Sequence, residues 1–318
     1  MIRYLTELSL KAFDDAARNI PYQQIQSELF PGVDLWVRRD DLIDPVISGN
    51  KAYKLIYNLL QARDEGRNTI VTCGGAWSNH IHATAAAGQR FGFKTVGIIR
   101  GQRPPELSAM LQDAERFGME LLFVTRADYR RRHEPGFVAS ACRRSKVCAE
   151  DYWFVPEGGA NRQGAQGVQL LGKVIQETGP VPFEECWVPC GTGLTLGALA
   201  SGLETTKAVG VAVLNAGQSI GESASKWASL GRQSREFELI GDCHHGGYGK
   251  SSEALVTFQE QMERQVNLVL DHVYTSKLLY ALAQRLRSTS LLQESCQKAI
   301  LLMHTGGLQG RRGVTKTG

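Results

Sequence analysis

A unit made of a short apolar strand, a glycine-rich turn and a helix-like stretch recurs along this chain and limits the folds that it can adopt. The strand pattern at 68–72 leads through the glycines of 73–75 into an alanine-rich stretch at 79–91. The strand pattern at 185–189 leads through the glycines and threonines of 190–193 into another apolar helix pattern. Strands that alternate with helices at this spacing predict an α/β protein with parallel sheets.

The two glycine-rich turns lie far apart in the sequence, which predicts two α/β layers that face each other. Ligands of open α/β sheets bind at the carboxyl ends of the strands, where such turns lie. A cleft between two domains is the usual place for a small-molecule site. We therefore expect the functional residues at these turns.

Composition excludes several classes of function. Lys and Arg number 36 against 32 Asp and Glu, so the formal net charge of +4 is too small to predict nucleic-acid binding. The apolar runs fall far short of the roughly 18 residues of a membrane span, and the N-terminus lacks the apolar core of a signal peptide. The seven cysteines are odd in number and form no Cys-x-x-Cys pair. We interpret them as thiols of a cytoplasmic protein and predict no metal site.

Lys51 is the first candidate for a chemical role. It follows Ser48-Gly49-Asn50, a turn that predicts the start of a helix. The positive end of a helix disfavours an ammonium group and lowers its pKa. Since a neutral amine attacks an aldehyde, Lys51 could form a Schiff base, although an ordinary surface lysine would have the same local sequence. Lys54 lies one turn later on the same face.

Two turns offer backbone N–H groups to an anion. Ser78 and Asn79 follow the small residues of 74–76 and open a helix, which suits a carboxylate or a phosphate. A plain helix N-cap by either residue would give the same pattern. The turn at 190–197 resembles a nest of N–H donors for a single phosphate ester, but it lacks the Gly-Lys-Ser/Thr ending of a nucleotide-binding loop. A purely structural glycine turn is the alternative.

Three shorter motifs follow later in the chain, at 247–249, 273–274 and 304–307; the glycines of the last would also suit the end of a helix. Together with the earlier segments they resemble, in order and spacing, the 1-aminocyclopropane-1-carboxylate deaminase and D-cysteine desulfhydrase family. The members of this family are pyridoxal-phosphate enzymes of the tryptophan-synthase-β fold type. The resemblance covers the chain from about Arg38 to about Gly307.

The resemblance implies a role for each motif. Lys51 would hold pyridoxal 5′-phosphate as a Schiff base and later move protons, and Asn79 would bind the ring O3′. The phosphate would be bound by Lys54, Gly191, Thr192, Gly193, Leu194 and Thr195. The substrate would be bound by Ser78, Asn79, His80 and Thr305, with Tyr248 and Tyr274 beside it and with Thr275 next to the pyridine nitrogen. Among these, the resemblance implies catalytic roles for Lys51, Ser78, Tyr248 and Tyr274.

The resemblance also implies two open, twisted parallel-sheet domains with the cofactor in the cleft between them. We expect a larger cofactor-binding domain from 1–53 and 160–318, a smaller inserted domain from 54–159, and a homodimer. The expected reaction is β-elimination from a small amino acid, which releases ammonia and a 2-oxo acid and, from D-cysteine, also sulfide. The alternatives are ring-opening deamination of 1-aminocyclopropane-1-carboxylate to 2-oxobutanoate, and a protein that binds the cofactor without turnover.

Thr275 and Thr305 favour β-elimination, because ring-opening relatives look to have Glu and Leu at these positions. A carboxylate keeps the pyridine nitrogen protonated and makes the ring a stronger electron sink, whereas a neutral hydroxyl does not. The chain departs from many relatives at His80, where they carry Gln, and at the bulky Trp77. The basic, glycine-rich tail at 311–318 is expected to be disordered.

Overall fold

The computed structural model describes residues 4–146, 151–231, 236–288 and 298–313. Cys148, Cys296 and the last five residues of the basic tail lie outside these ranges. Strands and helices alternate as expected, so the predicted α/β class with parallel sheets is confirmed. Among the described helices, none combines the length and the apolar character of a membrane crossing.

Helices and strands have the following bounds. The helices are α1 Leu10–Arg18, α2 Asn50–Asp64, α3 Asn79–Phe91, α4 Ala109–Arg116, α5 Arg126–Arg130, α6 Phe137–Cys142, α7 Arg162–Thr178, α8 Leu194–Gly202, α9 Gly217–Ala228, α10 Glu253–Val266 and α11 Thr275–Ser288. The strands are β1 Tyr22–Ile25, β2 Val33–Arg38, β3 Thr69–Gly74, β4 Lys94–Arg100, β5 Met119–Val124, β6 Tyr152–Val155, β7 Glu185–Cys190, β8 Lys207–Ala212, β9 Phe237–Ile240 and β10 Lys298–Met303. Short 3-10 turns lie at Asp40–Leu42, Glu157–Gly159 and Leu308–Gly313.

One compact unit comprises residues 1–13, 44–167 and 309–318. Its sheet has four parallel strands in the order β5-β4-β3-β6. Strand β3 is buried along its whole length. One apolar cluster contains Val71 and Tyr129, and another contains Ile81 of α3 with Leu111 of α4. This double-sided burial is typical of parallel sheets that are covered on both faces.

The other compact unit comprises residues 14–43 and 168–308. Its six strands lie in the order β1-β2-β10-β7-β8-β9. Only the edge pair of β1 and β2 is antiparallel among the described strands; the remaining pairs are parallel. The core is built around Trp187 and Leu302 and includes Leu282 from helix α11. Strand β10 comes from the end of the chain and pairs between β2 and β7, so this sheet is complete only when distant segments meet.

The contacts divide the chain at different points from the expected domain bounds. The expected bounds are at 53/54 and 159/160, whereas the chain passes from one unit to the other at 43/44 and 167/168. Lys51 therefore belongs to the unit with the four-stranded sheet, as do the segments 1–13 and 309–318. The assignment of the cofactor to a larger domain stays a prediction.

Candidate active site

Lys51 lies in the first turn of helix α2, where the sequence predicts it. Gly49 precedes the helix with a φ of 66°, a left-handed conformation that suits glycine, and the helix begins at Asn50. The Lys51 Nζ atom donates a hydrogen bond to Asn50 Oδ1 at 3.2 Å. Lys51 is half-buried and Lys54, one turn later, is buried. The helix start thus holds two amines in a largely dry setting.

Helix α3 begins at the second predicted turn. The Ser78 hydroxyl caps it by accepting a hydrogen bond from the Ile81 N–H at 3.3 Å, and Asn79 is the first helical residue. A Cβ atom at Gly74 would lie 2.8 Å from Ser78 Oγ, so this position must be glycine. The hydroxyl of Ser78 can still donate its proton to an acceptor. The capping role and a substrate-binding role are therefore compatible.

His80 is buried, and neither ring nitrogen has a hydrogen-bond partner among the described residues. Gly159 lies against it: a Cβ atom there would be 3.5 Å from His80 Cε1 and 3.0 Å from Lys54 Cβ. Burial, and then the positive charges of Lys51 and Lys54, lower the pKa of His80 well below its usual value. The imidazole is therefore neutral at physiological pH and offers one N–H donor and one acceptor.

These groups all belong to the first unit. They are a primary amine at a helix start, a buried second amine, a capping hydroxyl and an unsatisfied neutral imidazole. An aldehyde can react with the amine, and anionic or hydrogen-bonding groups can satisfy the others. The two His80 nitrogens without a partner among the described residues are a feature that a bound polar ligand would explain. In residue types, this set fits pyridoxal phosphate and an amino acid.

The predicted phosphate turn lies between β7 and α8 in the second unit. Gly193 has a φ of 80°, and a Cβ atom there would lie 2.5 Å from the Ile220 carbonyl oxygen, so no other residue fits. The Ser223 hydroxyl donates to the Thr192 carbonyl at 2.7 Å and fixes the turn from helix α9. Thr195 is buried in the first turn of α8. The turn thus leads into the N-terminus of α8, a place where backbone N–H groups favour an anion, and the phosphate nest at 191–195 stays a prediction.

Tyr274 lies next to this turn, and Tyr248 packs against Tyr274. A Cβ atom at Gly191 would be 3.7 Å from the Tyr274 hydroxyl, so the ring faces the turn. The rings of Tyr248 and Tyr274 are 6.4 Å apart at 74°, an edge-to-face arrangement. Tyr248 is 42% exposed and Tyr274 is half-buried. The two predicted tyrosines are thus in contact within one unit, where Tyr274 faces the predicted phosphate turn.

The Thr275 hydroxyl makes two hydrogen bonds with Asp271, a residue that the sequence analysis missed. Thr275 Oγ1 donates to Asp271 Oδ1 at 2.7 Å and accepts from the Asp271 N–H at 3.0 Å. The same carboxylate accepts from the backbone N–H groups of Val273, Tyr274 and Thr275. Asp271 therefore caps helix α11, and the Asp-x-x-x-Thr pattern at the helix start was the available signal.

Two further residues beside the predicted motifs were also missed. Lys277 is completely buried in the first turn of α11, and no periodicity in the sequence marks it. Gly159 belongs to the Gly158-Gly159 pair after β6, which a search for glycine clusters could have singled out. Both residues contact groups that the sequence analysis did select: Gly159 adjoins His80, and Lys277 binds the loop of Tyr248.

The closing turn at 304–307 follows strand β10, so the alternative that its glycines end a helix is wrong. The His304 carbonyl accepts from the Asp41 N–H at 3.1 Å, and His304 Nδ1 accepts from the Gly306 N–H at 3.3 Å. These bonds hold the buried Thr305 at the carboxyl end of the six-stranded sheet. Thr305 therefore lies just after the carboxyl end of β10, and its role at the substrate stays a prediction.

A cavity of about 430 Å³ lies elsewhere in the first unit. Its lining includes Cys73, Tyr152 and an ion pair in which Arg132 Nε lies 2.8 Å from Glu157 Oε2. None of the predicted site residues lines it. Burial is the main cause that raises the pKa of the Cys73 thiol, to about 12, so this cysteine is not a nucleophile at neutral pH. The cavity does not compete with the predicted residues as a catalytic site.

Comparison with known proteins gives one consistent result. A sequence profile of the family described as "Pyridoxal-phosphate dependent enzyme" matches residues 14–306. A Thermotoga maritima protein provisionally named 1-aminocyclopropane-1-carboxylate deaminase is 30% identical over 291 residues, which are 88% of this chain and 90% of that protein. A D-cysteine desulfhydrase of Yersinia pestis is 29% identical over 294 residues, 87% of each chain. The crystal structure of an ACC deaminase homologue has a TM-score of 0.76 at 26% identity and covers 92% of this chain and 90% of that chain.

Proposed function

Because this chain belongs to the family of pyridoxal-phosphate dependent enzymes, we propose that it catalyses β-elimination from a small amino acid such as D-cysteine. With D-cysteine and water, the products would be pyruvate, ammonia and hydrogen sulfide. The observation that carries the proposal is Lys51 at the start of α2, beside a buried neutral His80 whose nitrogens have no partner among the described residues. This arrangement supports covalent chemistry with an aldehyde cofactor and a polar substrate.

Each predicted residue would have a distinct task. Lys51 Nζ would attach the cofactor and move the substrate proton. Ser78 and the N–H groups at the start of α3 would bind the substrate carboxylate, since a helix N-terminus favours an anion. The nest at 191–195 would bind the phosphate, and Asn79 the ring O3′. When bound, pyridoxal phosphate supplies an electron sink for the bond that breaks.

The tyrosines would flank the substrate near the group that leaves. Tyr248 and Tyr274 carry hydroxyl groups that can donate a proton or a hydrogen bond at the β-substituent. Their edge-to-face contact gives the pair a defined relative orientation. A protein that only binds the cofactor has no need of these tyrosines, or of Lys51 and Ser78. The rival proposal of a carrier without turnover is therefore weaker.

Ring-opening deamination of 1-aminocyclopropane-1-carboxylate is the second candidate, because two of the similar proteins carry that activity in their names. Thr275 and Thr305 favour elimination in the comparison with ring-opening relatives. In the structure, however, Thr275 is not a lone hydroxyl, since it donates its proton to the carboxylate of Asp271. The negative charge of Asp271 would favour a protonated pyridine nitrogen next to Thr275 more than a lone hydroxyl would.

Attachment of the cofactor is the first test. Purified protein incubated with pyridoxal phosphate should turn yellow, and borohydride reduction followed by peptide mapping should find the added mass on Lys51. Lys51→Ala should lose turnover by orders of magnitude, while Lys94→Ala, an exposed lysine at the start of β4, should not. A protein that takes up no cofactor, or carries it on another lysine, would overturn the proposal.

The substrate is identified by a panel of D- and L-amino acids and 1-aminocyclopropane-1-carboxylate, assayed for ammonia and 2-oxo acid. We expect the highest kcat/KM with D-cysteine or a related β-substituted D-amino acid such as β-chloro-D-alanine. We expect Thr275→Glu with Thr305→Leu to shift the preference toward ring opening. A higher kcat/KM for the cyclopropane than for every β-substituted D-amino acid would decide for the second candidate.

We also propose that the protein is a cytoplasmic homodimer. The proposal of a dimer rests on the family resemblance. Cys73, Cys186 and Cys243 carry free thiols, which are typical of a reducing compartment. Size-exclusion chromatography with light scattering would measure the oligomeric state, and a monomer would contradict this part of the proposal.

A further inference from the structure

Lys277 is a completely buried lysine in the first turn of helix α11, a place that is unfavourable for a positive charge. Burial removes water from the ammonium group, and the helix N-terminus itself carries a partial positive charge. An apolar side chain of similar volume would often serve stability as well or better. The presence of a lysine here therefore needs another explanation.

Three backbone carbonyl groups converge on the Lys277 ammonium. Its Nζ atom donates to the carbonyl oxygens of Val213 at 3.2 Å, His244 at 2.8 Å and Gly247 at 2.8 Å. An ammonium group has three N–H donors, so these carbonyls satisfy all of them. A neutral amine has only two N–H bonds, and its lone pair would then face a carbonyl oxygen. The arrangement is complete only while the amine is charged.

Two of the three carbonyls belong to one loop, residues 244–250, which we call the tyrosine loop because it carries Tyr248. Two tight turns shape it: the His244 carbonyl accepts from the Gly247 N–H at 3.0 Å, and the Gly247 carbonyl accepts from the Lys250 N–H at 3.2 Å. Gly246, Gly247 and Gly249 have φ values of 91°, 114° and 66°, a backbone conformation that favours glycine, and His245 before them also has a positive φ of 50°. Both turn carbonyls also bind Lys277, so the ammonium joins the two turns.

Lys277 thereby connects the segments that carry Tyr248 and Tyr274. Tyr274 lies three residues before Lys277 in the sequence. Tyr248 directly follows Gly247, whose carbonyl accepts a hydrogen bond from Lys277. We propose that Lys277 is a positioning residue, an internal cation whose bonds to the tyrosine loop hold Tyr248 beside Tyr274. The contribution to turnover rests on the proposed function, in which these tyrosines flank the substrate, whereas the attachment of the loop does not.

Charges around the ammonium are consistent with a site that works near neutral pH. Burial lowers the pKa of Lys277 to about 8, and the negative charge of Asp271 at the start of α11 acts in the opposite direction. On the loop, His245 is the neighbouring titratable side chain; burial, and then the charges of Lys277 and His244, lower its pKa. The segment after β8 contributes the Val213 carbonyl. The bonds should therefore be complete below about pH 8 and weaken above it.

Amide hydrogen exchange on the cofactor-loaded protein tests the attachment without any need for turnover. Lys277→Met should exchange about tenfold or more faster in the tyrosine loop than wild type. Lys207→Met, which removes an exposed lysine of the same unit, should leave the loop unchanged. In wild type, exchange corrected for its intrinsic pH dependence should accelerate in the loop between pH 7 and 9 by roughly the same factor. Unchanged loop exchange in both experiments would overturn the proposal, and the wild-type experiment decides alone if Lys277→Met does not fold.

Rescue by a free cation tests whether the charge is what matters. In Lys277→Ala, ammonium chloride should slow loop exchange toward the wild-type rate, whereas tetramethylammonium chloride at the same concentration, which has no N–H donors, should not. Equal exchange in the two salts would refute the assignment of Lys277 as the cation of this site.

Kinetics then separates the attachment from the catalytic consequence. If the chain eliminates from an amino acid, Lys277→Met should lower kcat about tenfold or more and remove the decline of kcat above pH 8, with a smaller change in KM. Normal kinetics with a fast-exchanging loop would refute the positioning of Tyr248 while keeping the attachment. Absence of any turnover would count against the proposed function, and the exchange experiments would still decide on Lys277.

Discussion

Replacement of His80 by leucine should stabilise the cofactor-free protein, which is the opposite of the usual effect of a substitution in a core. Both His80 ring nitrogens are buried and lack partners among the described residues. Each unsatisfied buried polar group costs about 1–3 kcal/mol, so the two nitrogens cost about 2–6 kcal/mol. Imperfect packing of leucine in an imidazole-shaped space offsets about 1–3 kcal/mol. The expected net gain in the free energy of unfolding is about 1–3 kcal/mol.

His82 on the same helix provides the matched control. It is buried as well, but its Nε2 lies 3.2 Å from Asp113 Oδ2. His82→Leu removes this hydrogen bond and should lower the free energy of unfolding by about 1–2 kcal/mol. Urea unfolding of both cofactor-free variants at about pH 8, where an ordinary histidine is neutral, measures the two effects. If His80→Leu destabilises the protein as His82→Leu does, the reasoning from unsatisfied nitrogens is wrong.

The pH dependence of stability gives an independent check of the same residue. In the unfolded chain, His80 takes up a proton near its ordinary pKa of about 6.5. In the folded protein, burial and then the charges of Lys51 and Lys54 lower this pKa well below that value, so the imidazole stays neutral at a lower pH. The free energy of unfolding should therefore fall as the pH drops below about 6.5 and continue to fall until the folded pKa is reached. The advantage of His80→Leu should grow over this interval, and an advantage that stays constant would contradict the assigned pKa direction.

Other changes test the second unit. Asp271→Ala leaves three backbone N–H groups and a hydroxyl without their acceptor, and should lower the free energy of unfolding by about 2–4 kcal/mol in urea titrations. Ser252→Ala removes one capping bond of α10 and the hydrogen bond between Ser252 Oγ and His245 Nδ1, so it should cost about 1–2 kcal/mol, and a loss larger than that of Asp271→Ala would contradict the network at Asp271. Thr195→Ala should weaken pyridoxal phosphate binding about tenfold in equilibrium titrations; unchanged affinity would put the phosphate elsewhere. Gly193→Ala forces a Cβ atom to within 2.5 Å of the Ile220 carbonyl, so it should reduce cofactor affinity more than Thr195→Ala does, and an affinity like that of wild type would refute the role of this turn.

Local patterns in the sequence were sufficient where local physics decides the structure. Alternating strand and helix patterns predicted both parallel sheets, because a buried strand followed by a glycine turn and an amphipathic helix has few other ways to pack. Helix α3 occupies the predicted 79–91, since Ser78 marks its N-terminus and Gly92 its C-terminus. Lys51 at a helix start and the turn between β7 and α8 could likewise be predicted from turn chemistry. The family resemblance then supplied the roles that spacing alone leaves open.

Tertiary structure decided everything that depends on segments distant in the sequence. Strand β10 pairs with β2 and β7, which lie far from it in the sequence, and no local pattern shows which strands become neighbours. The isolation of His80 needs the approach of Gly159 from β6, and the three carbonyls of Lys277 come from two separate segments. Sequence periodicity reports which face of a helix is apolar, but it does not report whether a buried polar group finds a partner. That is set by the positions of backbone groups brought together from elsewhere, and here it distinguishes His80 from His82.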